Sequence, residues 1–194
     1  MLARHYPKGI LFLALAAFCA VPVPAPAAGN LPNLIVLVRH GDRSTAPKDD
    51  PGLTEAGKQR AQDLAAALRG TKFTAIITTQ FARNRSTAQP TASALGLTPE
   101  ILTITDVYNR EQQDAHVQAI KEALRKRAGG SVLIVDHGNM IPDIIAALGG
   151  PTALPMVCDP IYDHMFLLVP AGGKTQLVAA RYGALSPPPT AGCM

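Results

Sequence analysis

Apolar residues are distributed along the chain in two ways. Leu34 to Val38 ("LIVLV") is an unbroken apolar run, and "SVLIVDHG" (131–138) holds another, Val132 to Val135, before its turn. Uniform runs of this length fit strands of a sheet covered on both faces. Ala75 to Thr78 and Ile101 to Ile104 predict two further short strands. Elsewhere the period is helical. Ala61, Leu64, Ala65 and Leu68 fall at i, i+3, i+4 and i+7, in a helix that opens at Leu53-Thr54-Glu55 with Thr54 as N-cap and closes at Gly70. "QFARNRSTAQPTASALG" (80–96) predicts a second helix, bent or broken near Pro90. A third runs from about Ala115 to Arg127, with Val117, Ile120 and Leu124 inward, and a short fourth covers Ile141 to Leu148. Met165–Val169 and Gln176–Arg181, joined by "PAGGK", read as a hairpin. Strands alternating with helices predict an α/β fold: a three-layer α/β/α sandwich with a mostly parallel central sheet and a C-terminal antiparallel hairpin.

The N-terminal segment follows a different pattern. Arg4 and Lys8 precede the apolar "ILFLALAAFCAV" (10–21), too short to span a bilayer comfortably. Ala25-Pro26-Ala27 then supplies a small-x-small site, with cleavage expected before Ala28. Residues 1–27 are therefore read as a signal peptide rather than an anchor, and 28–194 as one domain in the periplasm or secreted. Cys19 suggests lipoprotein processing, but Phe18 before it is too bulky for that site.

The formal charge is +4, and loss of Arg4 and Lys8 with the leader leaves about +2. With no basic run or aromatic-basic interleaving, nucleic acid is not an expected partner. No membrane span is expected after cleavage, and the oligomeric state is not legible. Beyond the leader, Cys158 and Cys193 remain. In an exported chain they are expected to pair, tying the "SPPPTAGCM" tail to the loop before the last strands.

The candidate chemistry sits where strands end. In open parallel sheets, ligands bind beyond the carboxyl ends of the strands. The first strand ends in Arg39-His40-Gly41, the second leads through "TTQFA" to Arg83, and the fourth ends in Asp136-His137-Gly138. Guanidinium forks match phosphate oxygens, and a histidine can attack phosphorus or carry a proton. Gly41 would let a phosphate approach the backbone, and Arg43 and Ser44 stand in the next loop as further donors. Phosphoryl transfer asks mainly for such positioning and positive charge.

These segments resemble the histidine phosphatase superfamily, the phosphoglycerate-mutase-like enzymes. "VRHGDRS" looks like its signature, "LTEAGKQRAQDLA" like its Leu-Thr-x-x-Gly helix start, "TTQFARNRSTAQP" like the segment carrying its second arginine, and "VLIVDHGNM" like the strand that delivers its second histidine. The resemblance implies that His40 is the nucleophile and becomes a phosphohistidine, that Arg39, Arg83 and His137 hold the phosphate, and that neither metal nor other cofactor is required. The chain departs from the pattern at Thr79-Gln80, where the family often has Ser-Pro, and at Asp136, where a small residue is common. Many members place an acid after the third strand to protonate the leaving oxygen. Asp106, Glu111 and Asp114 all lie there, and Asp106, nearest the strand end, is the expected acid.

The function expected is that of a phosphomonoesterase acting on an unidentified phosphate ester, with an envelope phosphosugar, a phosphoprotein and a scavenged small ester as candidates. A non-catalytic phosphate- or phosphosugar-binding protein on the same scaffold is the alternative. A metal hydrolase built on His40, Asp42 and His137 is disfavoured, since the flanking arginines would repel a cation. Of the remaining polar residues, His116 reads as surface, Tyr162 as a half-buried core residue, Met156 as packing, and His164 as either a rim or a strand residue.

Overall fold

The structure, a computed structural model, describes residues 31–172 and 174–194. The leader expected over residues 1–27 lies outside the described residues. Among those described, the elements run β1 (Leu34–Arg39), α1 (Glu55–Ala67), β2 (Ala75–Thr78), α2 (Ala82–Leu95), β3 (Glu100–Ile101), α3 (Arg110–Arg125), β4 (Ser131–Asp136), α4 (Ile141–Ala147), β5 (His164–Ala171) and β6 (Lys174–Arg181). They build one sheet in the order β3-β2-β4-β1-β5-β6. The β3, β2, β4 and β1 strands are mutually parallel; β5 pairs antiparallel with β1, and β6 with β5. No described helix is long and apolar enough to cross a membrane.

The unbroken apolar runs have a direct cause. Alternate residues of a strand face opposite sides, so a strand covered on both faces needs apolar residues at every position. Ile35, Leu37, Val132 and Ile134 pack on one side with Val117, Ile120 and Leu124 of α3 and Ile141 and Ile144 of α4. Val36, Val38, Leu133 and Val135 pack on the other with Leu64 of α1 and Ala88 and Ala92 of α2. Each such Leu or Ile stabilises the fold by about 1.5–3 kcal/mol through leaving water. The three layers follow from this division.

Local signals set α1. Thr54 is extended at the N-cap, and its hydroxyl accepts from Gly57 N at 3.0 Å. Three expectations need correction. The second helix is not broken at Pro90: α2 continues through it to Leu95, and Gly96 ends it at φ 64°. Proline removes the hydrogen bond to Ser86, but Ser86 is exposed and water can serve its carbonyl. The third strand stops at Ile101 instead of Ile104, because its partner β2 stops at Thr78. The Gln80 side chain takes over beyond that point, donating to Ile104 O at 2.7 Å and accepting from Ile104 N at 3.2 Å. Helix α3 begins at Arg110, not Ala115. Asn109 is its N-cap, accepting from Gln112 N at 3.1 Å, while Asp114 lies inside the helix and pairs with Arg110 at 2.9 Å.

Two glycines press α1 against the loop that follows β1. A Cβ on Gly57 would come within 2.3 Å of Asp42 O, and one on Gly41 within 3.0 Å of Gly57 O. Gly41 thus admits a helix backbone, a role the sequence had suggested for phosphate approach. Arg60, one turn on, fastens the same contact: its Nε donates to Asp42 at 2.7 Å and its NH1 to Ala184 O at 2.8 Å. Gly57→Ala should therefore force α1 from the loop and lower stability by about 1–3 kcal/mol; a thermal melt against the parent chain would measure it.

Candidate functional site

Neighbouring parallel strands align their carboxyl ends, and β2, β4 and β1 lie side by side. Arg39 is in register with Asp136, and Thr78 with Val135. The next residues, His40, His137 and Thr79, consequently emerge together, with His40 N donating to Asp136 O at 2.9 Å. Helix α2 starts just after β2 and turns Arg83 back over this edge. Its Thr87 hydroxyl accepts from Gly41 N at 2.8 Å and donates to Arg83 O at 2.8 Å, joining α2 to the loop after β1.

The result is a cavity of about 140 Å³ lined by Arg39, His40, Arg43, Arg83, His137 and Tyr108 among others. That is several times a water molecule's share of the liquid, about 30 Å³. Arg39, His40, Arg83 and His137 are all buried, at 6%, 3%, 9% and 3% exposure. The His40 and His137 ring centres are 5.6 Å apart, and Phe81 stands edge-on to His137 at 5.1 Å.

The protonation pattern follows from the surroundings. Burial pushes the His40 imidazole well below its usual value, and the charge of Arg39 adds to the effect. His40 Nδ1 lies 2.9 Å from Gly41 O, an acceptor only, so Nδ1 carries the hydrogen. The neutral ring then keeps its lone pair on Nε2. Burial likewise pushes His137 down to about 4, opposed by Asp136 and assisted by Arg83. His137 Nε2 is 3.2 Å from the Thr79 hydroxyl.

Arg39 is held by a single loop. Its NH1 donates to Cys158 O at 2.7 Å and Ile161 O at 2.9 Å, its NH2 donates to Asp159, and its guanidinium lies over the Tyr162 ring at 4.3 Å. Burial would raise the Asp159 carboxyl, but Arg39, Tyr162 and Arg43 outweigh it and hold it at about 2. Arg83 sits over Phe81 at 4.5 Å and 3.9 Å from Asp50, which caps α2 by accepting from Ala82 N at 2.9 Å. Both Arg39 Nε and Arg83 Nε are buried without a hydrogen-bond partner among the described residues.

Other expected residues fall elsewhere. Arg43 does line the cavity, but it is exposed and donates to Asp159 at 3.1 Å. Ser44 turns away, its hydroxyl donating to Ala46 O at 2.7 Å. Asp106 does not line the cavity: it borders an adjoining cleft of about 270 Å³ that shares Arg43, Arg83 and Tyr108 with it. The early end of β3 leaves residues 102–109 as loop, and there Asp106 accepts from Tyr108 N at 2.8 Å. Asp42 pairs with Arg60. His164 stacks on Phe166 at 5.9 Å and is not among the cavity's lining residues.

Several contributors escaped the sequence reading. His116 is 3% exposed, not on the surface, and its Nε2 lies 3.0 Å from Asp136, whose other oxygen accepts from His137 N at 2.7 Å. Tyr162 is buried, as expected of a core residue, and its hydroxyl also donates to Asp159 of the cavity lining at 2.8 Å, while Met156, 44% exposed, lines the cavity itself. For Asp159, the neighbouring Cys158 was the only local hint. Cys158 and Cys193 are joined by a disulfide, with Cα atoms 5.6 Å apart. Among the described residues, no group of three or more His, Cys, Asp or Glu is placed to hold a metal.

A histidine buried neutral has a pH signature. The folded-state value of His137 lies below its ordinary 6.5, so the unfolded chain takes up the proton first as pH falls. Stability from this group is present above about pH 6.5 and is lost progressively toward pH 4, on the order of 3 kcal/mol in all. His137→Gln should flatten that part of the slope, as read from urea titrations between pH 7.5 and 4.

Residues 35–106 match the model of the histidine phosphatase superfamily, branch 1. No curated protein is matched by sequence. Among solved structures, the chain is similar to a mycobacterial glucosyl-3-phosphoglycerate phosphatase at 17% identity, with 78% of this chain and 99% of that one covered and a TM-score of 0.57. It is similar to the protein histidine phosphatase SixA in complex with tungstate at 16% identity, covering 76% and 96%, TM-score 0.57. It also resembles a phosphoserine phosphatase from Entamoeba histolytica at 17% identity, covering 78% and 96%, TM-score 0.52. At such identities the likeness establishes the fold. The segment that matches this family model carries Arg39, His40 and Arg83, and the chain as a whole shares the fold of these solved structures.

Proposed function

We propose that the protein is a phosphomonoesterase that works through a phosphohistidine on His40. The observation that carries this reading is the pairing of a neutral, Nδ1-protonated imidazole with two buried guanidinium groups whose Nε donors lack partners among the described residues. Unpartnered buried donors are costly, and a phosphoryl group would satisfy both. In the first step His40 Nε2 forms a bond to phosphorus as the bond to the leaving oxygen breaks. Arg39, Arg83 and His137 hold the equatorial oxygens, where charge develops. The leaving group departs toward the adjoining cleft and takes its proton there, from Asp106 or water. Asp159 cannot supply it, being held ionised by Arg39. Water then attacks phosphorus, the N–P bond breaks, phosphate leaves and His40 is restored.

No metal enters this scheme. The arginines already provide the positive charge that a cation would otherwise bring, and they would repel one. Structures of similar fold include a glucosyl-3-phosphoglycerate phosphatase, a protein histidine phosphatase and a phosphoserine phosphatase. Such unlike leaving groups agree with a cavity that grips only the phosphoryl group. The leader-like N-terminus supports an exported enzyme, and the Cys158–Cys193 bond fits an oxidising compartment. On that ground an envelope phosphosugar is the substrate class we favour.

The purified chain should release p-nitrophenol from its phosphate ester and continue to do so in EDTA. His40→Ala should reduce kcat by roughly 10³–10⁶-fold, and Arg83→Ala by roughly 10²–10³-fold. Tungstate binding by the intact chain without any turnover would show instead a phosphate-binding protein.

A further inference from the structure

Arg39 owes its pose to residues far from it in sequence, and those residues have no part in the chemical steps above. The loop from Val157 to Tyr162 meets it with two carbonyls, a carboxylate and an aromatic face. The same loop abuts the turn that follows His137. Val157 N donates to Gly138 O at 3.1 Å, and a Cβ on Gly138 would come within 2.0 Å of Val157 O and 3.1 Å of Arg39 Nε. Loop, arginine and histidine turn are therefore in mutual contact, and a shift of the loop would move Arg39.

What holds the loop is limited. Val157 and Ile161 are buried, but residues 151–153, 155–156 and 159–160 are exposed. Between these anchors stands Cys158, bonded to Cys193. The tail strengthens the attachment through the Met156–Cys193 bridge and through Met194 N, which donates to Met156 O at 3.1 Å. Residues 187–192 of that tail are themselves exposed. The cystine is thus the covalent fastening of a loop whose carbonyl, Cys158 O, is itself an acceptor for Arg39.

We propose that Cys158 and Cys193, through their disulfide, are positioning residues for Arg39, so that anion binding depends on the redox state of this bond. The proposal rests on the reading of Arg39 as a phosphate-holding group. A dithiol reductant transfers two electrons and two protons to the pair, leaving two thiols, and is itself oxidised to a cyclic disulfide. The tail is then released and the loop loosens. Arg39 no longer keeps its Nε fixed at the cavity, and the phosphate pocket loses part of its preorganisation.

The experiment compares the full chain, oxidised, with the Cys158→Ser/Cys193→Ser chain, and measures tungstate binding by calorimetry and KM for p-nitrophenyl phosphate. Without the disulfide, the tungstate Kd and the KM should both rise about tenfold, and hydrogen exchange at amides 157–159 and 161–162 should quicken. Adding dithiothreitol should weaken binding by the wild-type chain and leave the serine variant unchanged. In an Arg39→Lys background, breaking the disulfide should cost little further affinity, because the group it positions is gone; a merely stabilising bond would cost the same in both backgrounds. If the serine chain melts too early, the wild type is poised between dithiothreitol and its oxidised form, with circular dichroism reporting the folded fraction. A folded chain lacking the bond but with unchanged tungstate affinity overturns the proposal. If the oxidised chain binds no tungstate, the phosphatase reading fails separately, and with it any coupling of this bond to anion binding.

Discussion

Two guanidinium groups of like charge are buried around one cavity at the carboxyl ends of the strands, and much of this molecule is arranged to permit it. Burying an ion costs free energy unless something compensates. Compensation here is partial. Asp159 faces Arg39, Asp50 stands at 3.9 Å from Arg83, and the rings of Tyr162 and Phe81 offer their faces. Both Nε atoms remain without partners among the described residues. The same positive field, acting with burial, keeps the two imidazoles uncharged. A pocket held short of neutrality in this way suits an incoming oxyanion, and a neutral imidazole beside it suits attack on phosphorus.

Such a cluster needs a rigid frame, because like charges would otherwise separate. The parallel pairing of β2, β4 and β1 fixes the three chain exits relative to one another. Beneath them, the His116–Asp136 contact holds the backbone of His137 from the α3 side, and both partners are almost fully buried. On the α1 and α2 side, Thr87 and the Gly41–Gly57 contact hold the turn after His40. The histidines are thus clamped from opposite layers of the sandwich. Arg39 is different, being held by a loop near the far end of the chain and by the covalent bond that fastens that loop.

The sequence was most informative where a physical requirement acts on neighbouring residues. Burial on both faces imposed continuous apolar runs on β1 and β4, so their positions and their polar ends were legible. Thr54 announced α1 because capping is a local hydrogen bond. Once those strand ends were placed, Arg39, His40, Arg83 and His137 could be expected to converge, and the structure lines one cavity with them. Proline at 90 misled, because packing of α2 on the sheet outweighs the loss of one hydrogen bond. The third strand misled as well, since its length depends on how far β2 runs beside it.

What tertiary structure alone decided is the set of partners. Arg39 finds acceptors 119 to 122 residues away, and no periodicity or spacing along the chain announces contacts at that range. His116 looked like a surface residue because a helical period identifies a face without saying what the sheet offers to it. Nearness to a strand end singled out Asp106 among the three acids of its segment, but only the direction of the folded loop decided that its side chain borders the adjoining cleft and not the cavity itself. The amino-acid order by itself determined which segments are buried and which polar groups stand at their ends, for burial is a property of each residue in turn. Which of those groups touch, and so which are neutral, charged or unpartnered, depended on distances that exist only once the chain has folded.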